Sequence, residues 1–140
     1  MALPSHLALE IVTPDRAVVH DNVDEVEVPG SEGYFGVLPG HTPMLAALKV
    51  GILWYRKGAE KTYLSVAFGF AEVMPDRVIV LAQIAERAEE VDVDRAQAAR
   101  QRAEQRLASH DRDLDLERAR VSLLKALSRL NVANRPRTRG

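Results

Sequence analysis

Hydrophobic and polar residues alternate with a period of two through most of the first 84 positions, and with the period of a helix thereafter. Leu7-Ala8-Leu9-Glu10-Ile11-Val12 opens as a strand, and Thr13-Pro14-Asp15 turns it. The stretch from Val18 to Val28 reads as a second long strand, ending in the alternating run Val23-Asp24-Glu25-Val26-Glu27-Val28. Short strands follow at Phe35–Leu38, Met44–Lys49, Ile52–Arg56, Thr62–Val66, Phe68–Val73 and Arg77–Ile84. Lys57-Gly58-Ala59-Glu60 and Met74-Pro75-Asp76 supply turns between them. Many short strands at this spacing predict an antiparallel sandwich or barrel.

After Val91 the pattern changes. Asp92 is placed to cap a helix, with Asp94 adding charge at the positive dipole end. Ala96, Ala99, Ala103 and Leu107 mark one face of that helix, and its alanines invite close approach of a partner. A connection is expected near Ser109–Asp113, with Asp113 as a second candidate cap. Leu116, Leu123, Leu127 and Leu130 then stripe a second helix, with Leu124 alongside. Asn131 and Pro136 mark its end, and residues 135–140 read as a flexible basic tail.

Composition sharpens the division. All seven aromatic residues precede Ile84, whereas Ala85 to Asn134 holds no Gly, Pro or aromatic residue. The first part can build an aromatic-anchored core; the second can only make helices. The predicted layout is a β-sandwich over 1–84, a helical hairpin over 91–134 and the tail, with the boundary between Ile84 and Val91. Without an aromatic anchor, the hairpin is expected to dock marginally and to move on the rigid sandwich.

Net charge is −1, but unevenly spread: 6 Lys/Arg against 10 Asp/Glu through residue 84, and 13 against 10 after it. Neither part clusters cations densely enough to require nucleic acid. The absence of cysteine excludes disulfides and thiol chemistry. No apolar run has transmembrane length, so membrane association is expected only through a partner. Phosphate-loop, nucleophile-elbow and zinc-protease motifs are missing, and the four histidines lack metal-ligand spacing, so no catalytic residue and no metal site is expected.

The conformationally costly stretch runs from Val28 to Leu45. It holds four glycines and three prolines, with Tyr34, Phe35, Val37 and Leu38 between the breaks. Its sequence, P-G-S-E-G-x-F-G-V-L-P-G-H-T-P-x-L, resembles the epsilon subunit of bacterial F-type ATP synthases. The resemblance continues in order through Ala47-Leu48-Lys49, Phe68–Val73, Val78–Ala82, Ala85–Asp92, Arg95-Ala96, Ala103-Glu104 and Leu127–Ala133. Tyr34, Phe68 and Gln83 depart from the usual residues of that family.

The resemblance implies a β-sandwich followed by a two-helix antiparallel hairpin, in a non-catalytic central-stalk rotor subunit. It implies binding to the gamma subunit and the c-ring through the turn-rich end, with Tyr34, Phe35, Leu38 and His41 as candidate contacts. It also implies a hairpin that restrains ATP hydrolysis when extended, with Arg118, Arg120, Lys125 and Arg129 meeting the alpha/beta catalytic head. Some family members bind regulatory ATP on the hairpin through I/V-D-x-x-R-A. Val91-Asp92-Val93-Asp94-Arg95-Ala96 matches that motif, giving Glu86, Asp92, Arg95, Ala96, Lys125 and Arg129 as a candidate ATP site; no cofactor is required. Read from the residues alone, Asp92 is a cap and Arg95 a solvated helix residue, and the Arg-rich pattern of the hairpin (Arg100, Arg102 and Arg106 among them) is a solvated face. The expected location is the cytoplasmic face of a bacterial plasma membrane, since no transit peptide precedes Met1, although a plastid thylakoid member would read similarly. The coupling ion is H⁺ or Na⁺. A reading of another class is a non-catalytic interaction module with a coiled-coil-like arm; a small-molecule hydrolase comes third.

Overall fold

Strand alternation becomes structure with the apolar positions turned inward. The computed structural model describes residues 3–109, 115–135 and 138–139. In chain order come β1 (Leu7–Val12), β2 (Ala17–Val23), β3 (Glu25–Gly30), β4 (Gly33–Val37) and β5 (Met44–Leu48). Next are β6 (Gly51–Lys57), β7 (Glu60–Met74) and β8 (Arg77–Arg87), then a 3-10 turn at Ala88–Glu90. Helices α1 (Val93–Ala108) and α2 (Leu116–Ala133) follow, and a short β9 (Thr138–Arg139) ends the described chain. The sandwich core is aliphatic: Leu7, Leu9, Ile11, Val26, Val28, Leu53, Leu64 and Val78 are fully buried.

The layers are joined by shared strands. β1 pairs with β2 antiparallel and with β8 parallel, and β8 pairs with β7 along nearly its whole length. On its other edge β7 changes partner. Glu60–Val66 pairs with β6, and Gly69–Val73 pairs with β5. β3 also joins both, taking β6 at Glu25–Glu27 and β5 at Gly30, with β4 on its far edge.

The change of partner occurs at Phe68 and Gly69, whose φ angles are 57° and 122°. Phe68 is the only non-glycine at positive φ among the described residues, a conformation that costs an L-residue about 1–2 kcal/mol. Gly69 is obligatory for a second reason: a Cβ there would overlap the Leu81 carbonyl of β8. The two strands read separately from sequence, Thr62–Val66 and Phe68–Val73, are therefore one bent strand. The expected break at Ala67 is a corner at Phe68 and Gly69 rather than an end.

The opposite difference appears at Asp24. The expected single strand from Val18 to Val28 is two strands that break at this residue. Its N–H donates to the Arg56 carbonyl at 2.8 Å, and its carboxylate accepts from Gly58 N–H at 2.7 Å and His6 Nδ1–H at 3.0 Å. These bonds redirect the chain toward the β6–β7 turn. β8 also runs three residues past the expected end, to Arg87, so the sandwich ends later than Ile84.

Asp92 caps α1, accepting from Arg95 N–H at 3.0 Å. Asp115 caps α2 in the same way, accepting from Arg118 N–H at 3.0 Å, whereas the expected cap Asp113 lies outside the described residues. The hairpin seam departs from the leucine stripe. Ala96 and Ala103 of α1 and Ala119 and Ala126 of α2 are buried, while Leu116, Leu124 and Leu127 are 50%, 52% and 39% exposed. Alanine faces let two helix backbones approach closely, which leaves the larger side chains outside the seam. Only Leu130 of the stripe is buried, packed with Val91, Ala96 and Ala133. In the expected tail, Thr138–Arg139 pairs with Glu60–Lys61 of β7. β8 reaches only to the partner of Leu64, which leaves that length of β7 edge open.

Gly69→Ala should destabilise the chain by more than about 2 kcal/mol, because it combines a left-handed φ with overpacking against backbone. Urea unfolding checks this; an unchanged midpoint would refute the corner argument. The Asp24 carboxyl is held below its ordinary value of 3.8, first by the Gly58 N–H and then by His6. Its contribution is thus present above that value and lost as pH falls through the lowered one. The fall in thermal midpoint between about pH 4.5 and pH 2.5 should be shallower in Asp24→Asn than in the parent chain.

Candidate functional site

The site lies where the hairpin meets the sandwich. Docking there is small-scale and polar. Ser128, in mid-helix, would ordinarily bond back to its own helix or point to solvent. Instead its hydroxyl donates to the Gly51 carbonyl of β6 at 3.0 Å and lies 2.8 Å from the Ser65 hydroxyl of β7. Both serines are buried, and because Ser128 spends its proton on Gly51, Ser65 must be the donor of their pair. Beside them, Arg129 clasps Glu86 with two bonds, 2.7 Å from Nε and 3.2 Å from Nη2. This forked pair is only about 20% exposed at either side chain, so it is shielded more than a surface bridge.

The root of the hairpin is tied separately. Glu90 pairs with Arg16 and accepts from Arg87 N–H at 3.0 Å, while the Arg87 guanidinium donates to the Val18 carbonyl at 2.9 Å.

Between these ties remains a cleft of about 410 Å3, within the range of small-molecule sites. Val50, Ser65, Ala67 and Ile84 form its sandwich side, with Glu86 at the edge. α1 contributes Arg95, Ala99 and Arg102; α2 contributes Ser122, Lys125, Ala126 and Arg129. Four cations thus face one carboxylate, which is already engaged by Arg129. Among the described residues, Arg95, Arg102 and Lys125 have no carboxylate partner. The Lys125 ammonium rests 5.5 Å from the centre of the Phe68 ring. An apolar floor beneath convergent cations suits an anionic ligand with a flat apolar part.

A second surface is apolar. Strand register places Ala47, Phe70, Leu81 and Val12 in one row across β5, β7, β8 and β1. Phe70 and Leu81 are each 54% exposed, and Leu45 nearby is 69% exposed. A shallow groove of about 320 Å3, lined by Val12, Thr13, Pro14, Leu81, Ala82 and Gln83, continues the row. Contiguous exposed apolar surface of this kind marks an interaction face.

Comparison with known proteins matches both parts in the same order. The family model "ATP synthase, Delta/Epsilon chain, beta-sandwich domain" covers residues 6–88. The model "ATP synthase, Delta/Epsilon chain, long alpha-helix domain" covers residues 86–134. The chain belongs to the ATP synthase delta/epsilon family. The epsilon chain of Nitratidesulfovibrio vulgaris is 51% identical over 90% of this chain and 94% of that protein. The Syntrophobacter fumaroxidans epsilon chain is 50% identical, covering 92% and 96%, and that of Solibacter usitatus is 44% identical, covering 95% and 99%. In fold, the chain superposes on one in the mitochondrial ATP synthase of Euglena gracilis with a TM-score of 0.81 at 24% identity, covering 96% of this chain and 85% of the other. A chain in the central stalk and c-ring assembly of the Tetrahymena thermophila mitochondrial enzyme gives 0.59 at 14%, covering 95% and 97%. As an epsilon-type member, this is a non-catalytic chain of the ATP synthase complex.

Of the residues expected from the epsilon resemblance, Glu86, Arg95, Lys125 and Arg129 come together in the cleft. Asp92 and Ala96 do not line it: Asp92 is occupied as the α1 cap, and Ala96 is fully buried against Leu130. Arg102 belongs to the cleft although the sequence reading placed it on a solvated face. Its spacing of seven from Arg95, two helical turns on one face, was the available signal. Arg118 and Arg120 are exposed on α2 away from the cleft.

At the turn-rich end, Tyr34 and Leu38 are 48% and 54% exposed. Phe35 packs against the sandwich core. His41 donates from Nδ1 to the Thr42 carbonyl at 2.7 Å, which fixes its tautomer without building a catalytic arrangement. Phe70, Leu81 and Leu45 were missed as surface residues because alternation alone does not say which face a partner covers. None of the described helices is long and apolar enough to cross a membrane.

Proposed function

We propose that this chain is the epsilon-type rotor subunit of a proton-translocating F-type ATP synthase, with a hairpin that is held compact by ATP and restrains hydrolysis when it extends. Supporting this reading are the family match over both parts and the relatives at 44–51% identity. The sandwich docks on the gamma subunit and the c-ring, using the exposed row around Phe70 and Leu81 together with the Tyr34–His41 end. It thereby carries torque between the membrane ring and the catalytic head and stays peripheral, on the cytoplasmic face of the bacterial plasma membrane, through the complex alone. In the extended state Arg118, Arg120, Lys125 and Arg129 meet the acidic surface of the alpha/beta head, and the exposed leucines of α2 pack along the stalk.

The observation that carries the regulatory part is the cleft itself. Its cations come from both hairpin helices, and its apolar floor comes from the sandwich. A ligand held there touches both parts, so it favours the compact state by its differential affinity for that state. A purine base fits the Val50, Ala67 and Ile84 floor, and polyphosphate fits Arg95, Arg102 and Lys125. No chemistry is performed on it.

Isothermal titration of the full chain with ATP should show saturable one-to-one binding. Arg95→Ala and Arg102→Ala should each weaken it about tenfold or more, the worth of a charged hydrogen bond. Undiminished affinity in both variants would remove the cleft as the site. Separately, the catalytic complex reconstituted with a chain ending at Glu90 should hydrolyse ATP faster than with the full chain, at equal assembly. Equal rates would confine the function to coupling by the sandwich.

A further inference from the structure

One peptide group in this molecule is held from two sides. The Gly51 carbonyl accepts the Ser128 hydroxyl of the hairpin at 3.0 Å, and the next N–H, that of Ile52, donates to the Tyr34 hydroxyl at 3.1 Å. Carbonyl and N–H belong to the same planar amide. A continuous chain of hydrogen bonds therefore runs from Ser65 through Ser128 and the Gly51–Ile52 amide to Tyr34.

We propose that this chain is a relay through which the exposed Tyr34 end of the sandwich and the docking of the helical hairpin influence one another. The inference rests on the movable-hairpin reading given above and goes beyond it by naming what the docked state is coupled to. Three observations support it. Gly51 is confined: a Cβ there would come within 2.5 Å of the Tyr34 hydroxyl and 2.7 Å of Pro29, so the amide has little room to adjust independently. Tyr34 is 48% exposed, at the start of β4, with the Lys49 ammonium 4.7 Å from its ring centre, so its position responds to whatever covers that end. Ser65 and Ser128 are buried against one another across the hairpin–sandwich contact, Ser65 on β7 and Ser128 on α2.

The physical coupling is mutual polarisation along the chain. Donation of the Ile52 N–H to Tyr34 makes the Gly51 carbonyl a better acceptor, and engagement of that carbonyl by Ser128 makes the N–H a better donor. Coupling of this kind is reciprocal. A partner that pulls the Tyr34 hydroxyl away loosens the hairpin, and lifting the hairpin loosens Tyr34. The geometry is also directional within the hairpin contact. Ser128 both donates and accepts, whereas Ser65 only donates to it, so Ser128 is the member whose loss strands two partners.

The test is hydrogen exchange on the full chain, comparing amides of α1 and α2 with core amides of β1 and β8. Ser128→Ala should speed hairpin exchange about tenfold with the β1 and β8 amides unchanged. Tyr34→Phe, which removes one oxygen and keeps the ring, should speed hairpin exchange about 1.3- to twofold in the parent chain and leave it unchanged in the Ser128→Ala background. An equal effect of Tyr34→Phe in both backgrounds, or no effect in the parent, would overturn the relay. If hairpin and sandwich amides instead exchange at one common rate in every chain, the hairpin does not open separately, and the movable-hairpin reading falls along with the relay.

Discussion

Strand β7 has to serve two sheet partners in succession, and it can do so only because the backbone turns left-handed at Phe68 and Gly69. That corner brings β5 and β6 onto the same edge of one strand while β8 stays paired on the other. It also sets Ser65 and Ala67 inside the hairpin's footprint and Phe70 on the outer face. The docking surface and the apolar row are thus two consequences of one bend. Phe68 is placed by it too: its strained backbone presents the ring to Lys125 at the cleft.

The molecule uses two kinds of cohesion. Inside the sandwich, fully buried Leu, Ile and Val side chains from eight strands interdigitate, and separation of the layers would expose all of them to water. Between hairpin and sandwich the contacts are a hydroxyl pair, a forked ion pair, a few alanines and a cleft lined with cations. Most of those groups are as well satisfied by water as by each other. The first kind makes a body that stays folded under load. The second makes an interface whose occupancy follows small differences in free energy.

What could be read in the sequence follows the range of the interactions concerned. Strands with one buried face announced themselves by alternation, and Asp92 by standing just before a helical period. Asp24 did not announce its break, since its partners Arg56 and Gly58 lie more than thirty positions away. The bend of β7 was read as a break after Val66, with Gly69 inside the next strand, because sequence does not show whether a chain that changes sheet partner ends or bends. The alanine face of α1 was legible, but the α2 side of the seam was misjudged because leucine outranks alanine in hydrophobicity, while close helix packing rewards the smaller residue. In the cleft, Glu86, Arg95, Lys125 and Arg129 were visible only through family resemblance. Ser65 and Ser128, 63 positions apart, carried no local signal at all.

The ties at the hairpin root define the mechanics of any swing. Arg87 is bonded to the Val18 carbonyl, and Glu90 is bonded both to Arg16 and back to Arg87, so the 3-10 turn is bolted to β2 and to the β1–β2 turn. The fulcrum therefore falls beyond Glu90, at Val91 and Asp92. In such a swing Val91 would leave its pocket with Ala96 and Leu130, whereas Asp92, as the α1 cap, would travel with the arm. The lever would thus keep its own end sealed throughout a stroke, and the body it left would keep its hinge plate.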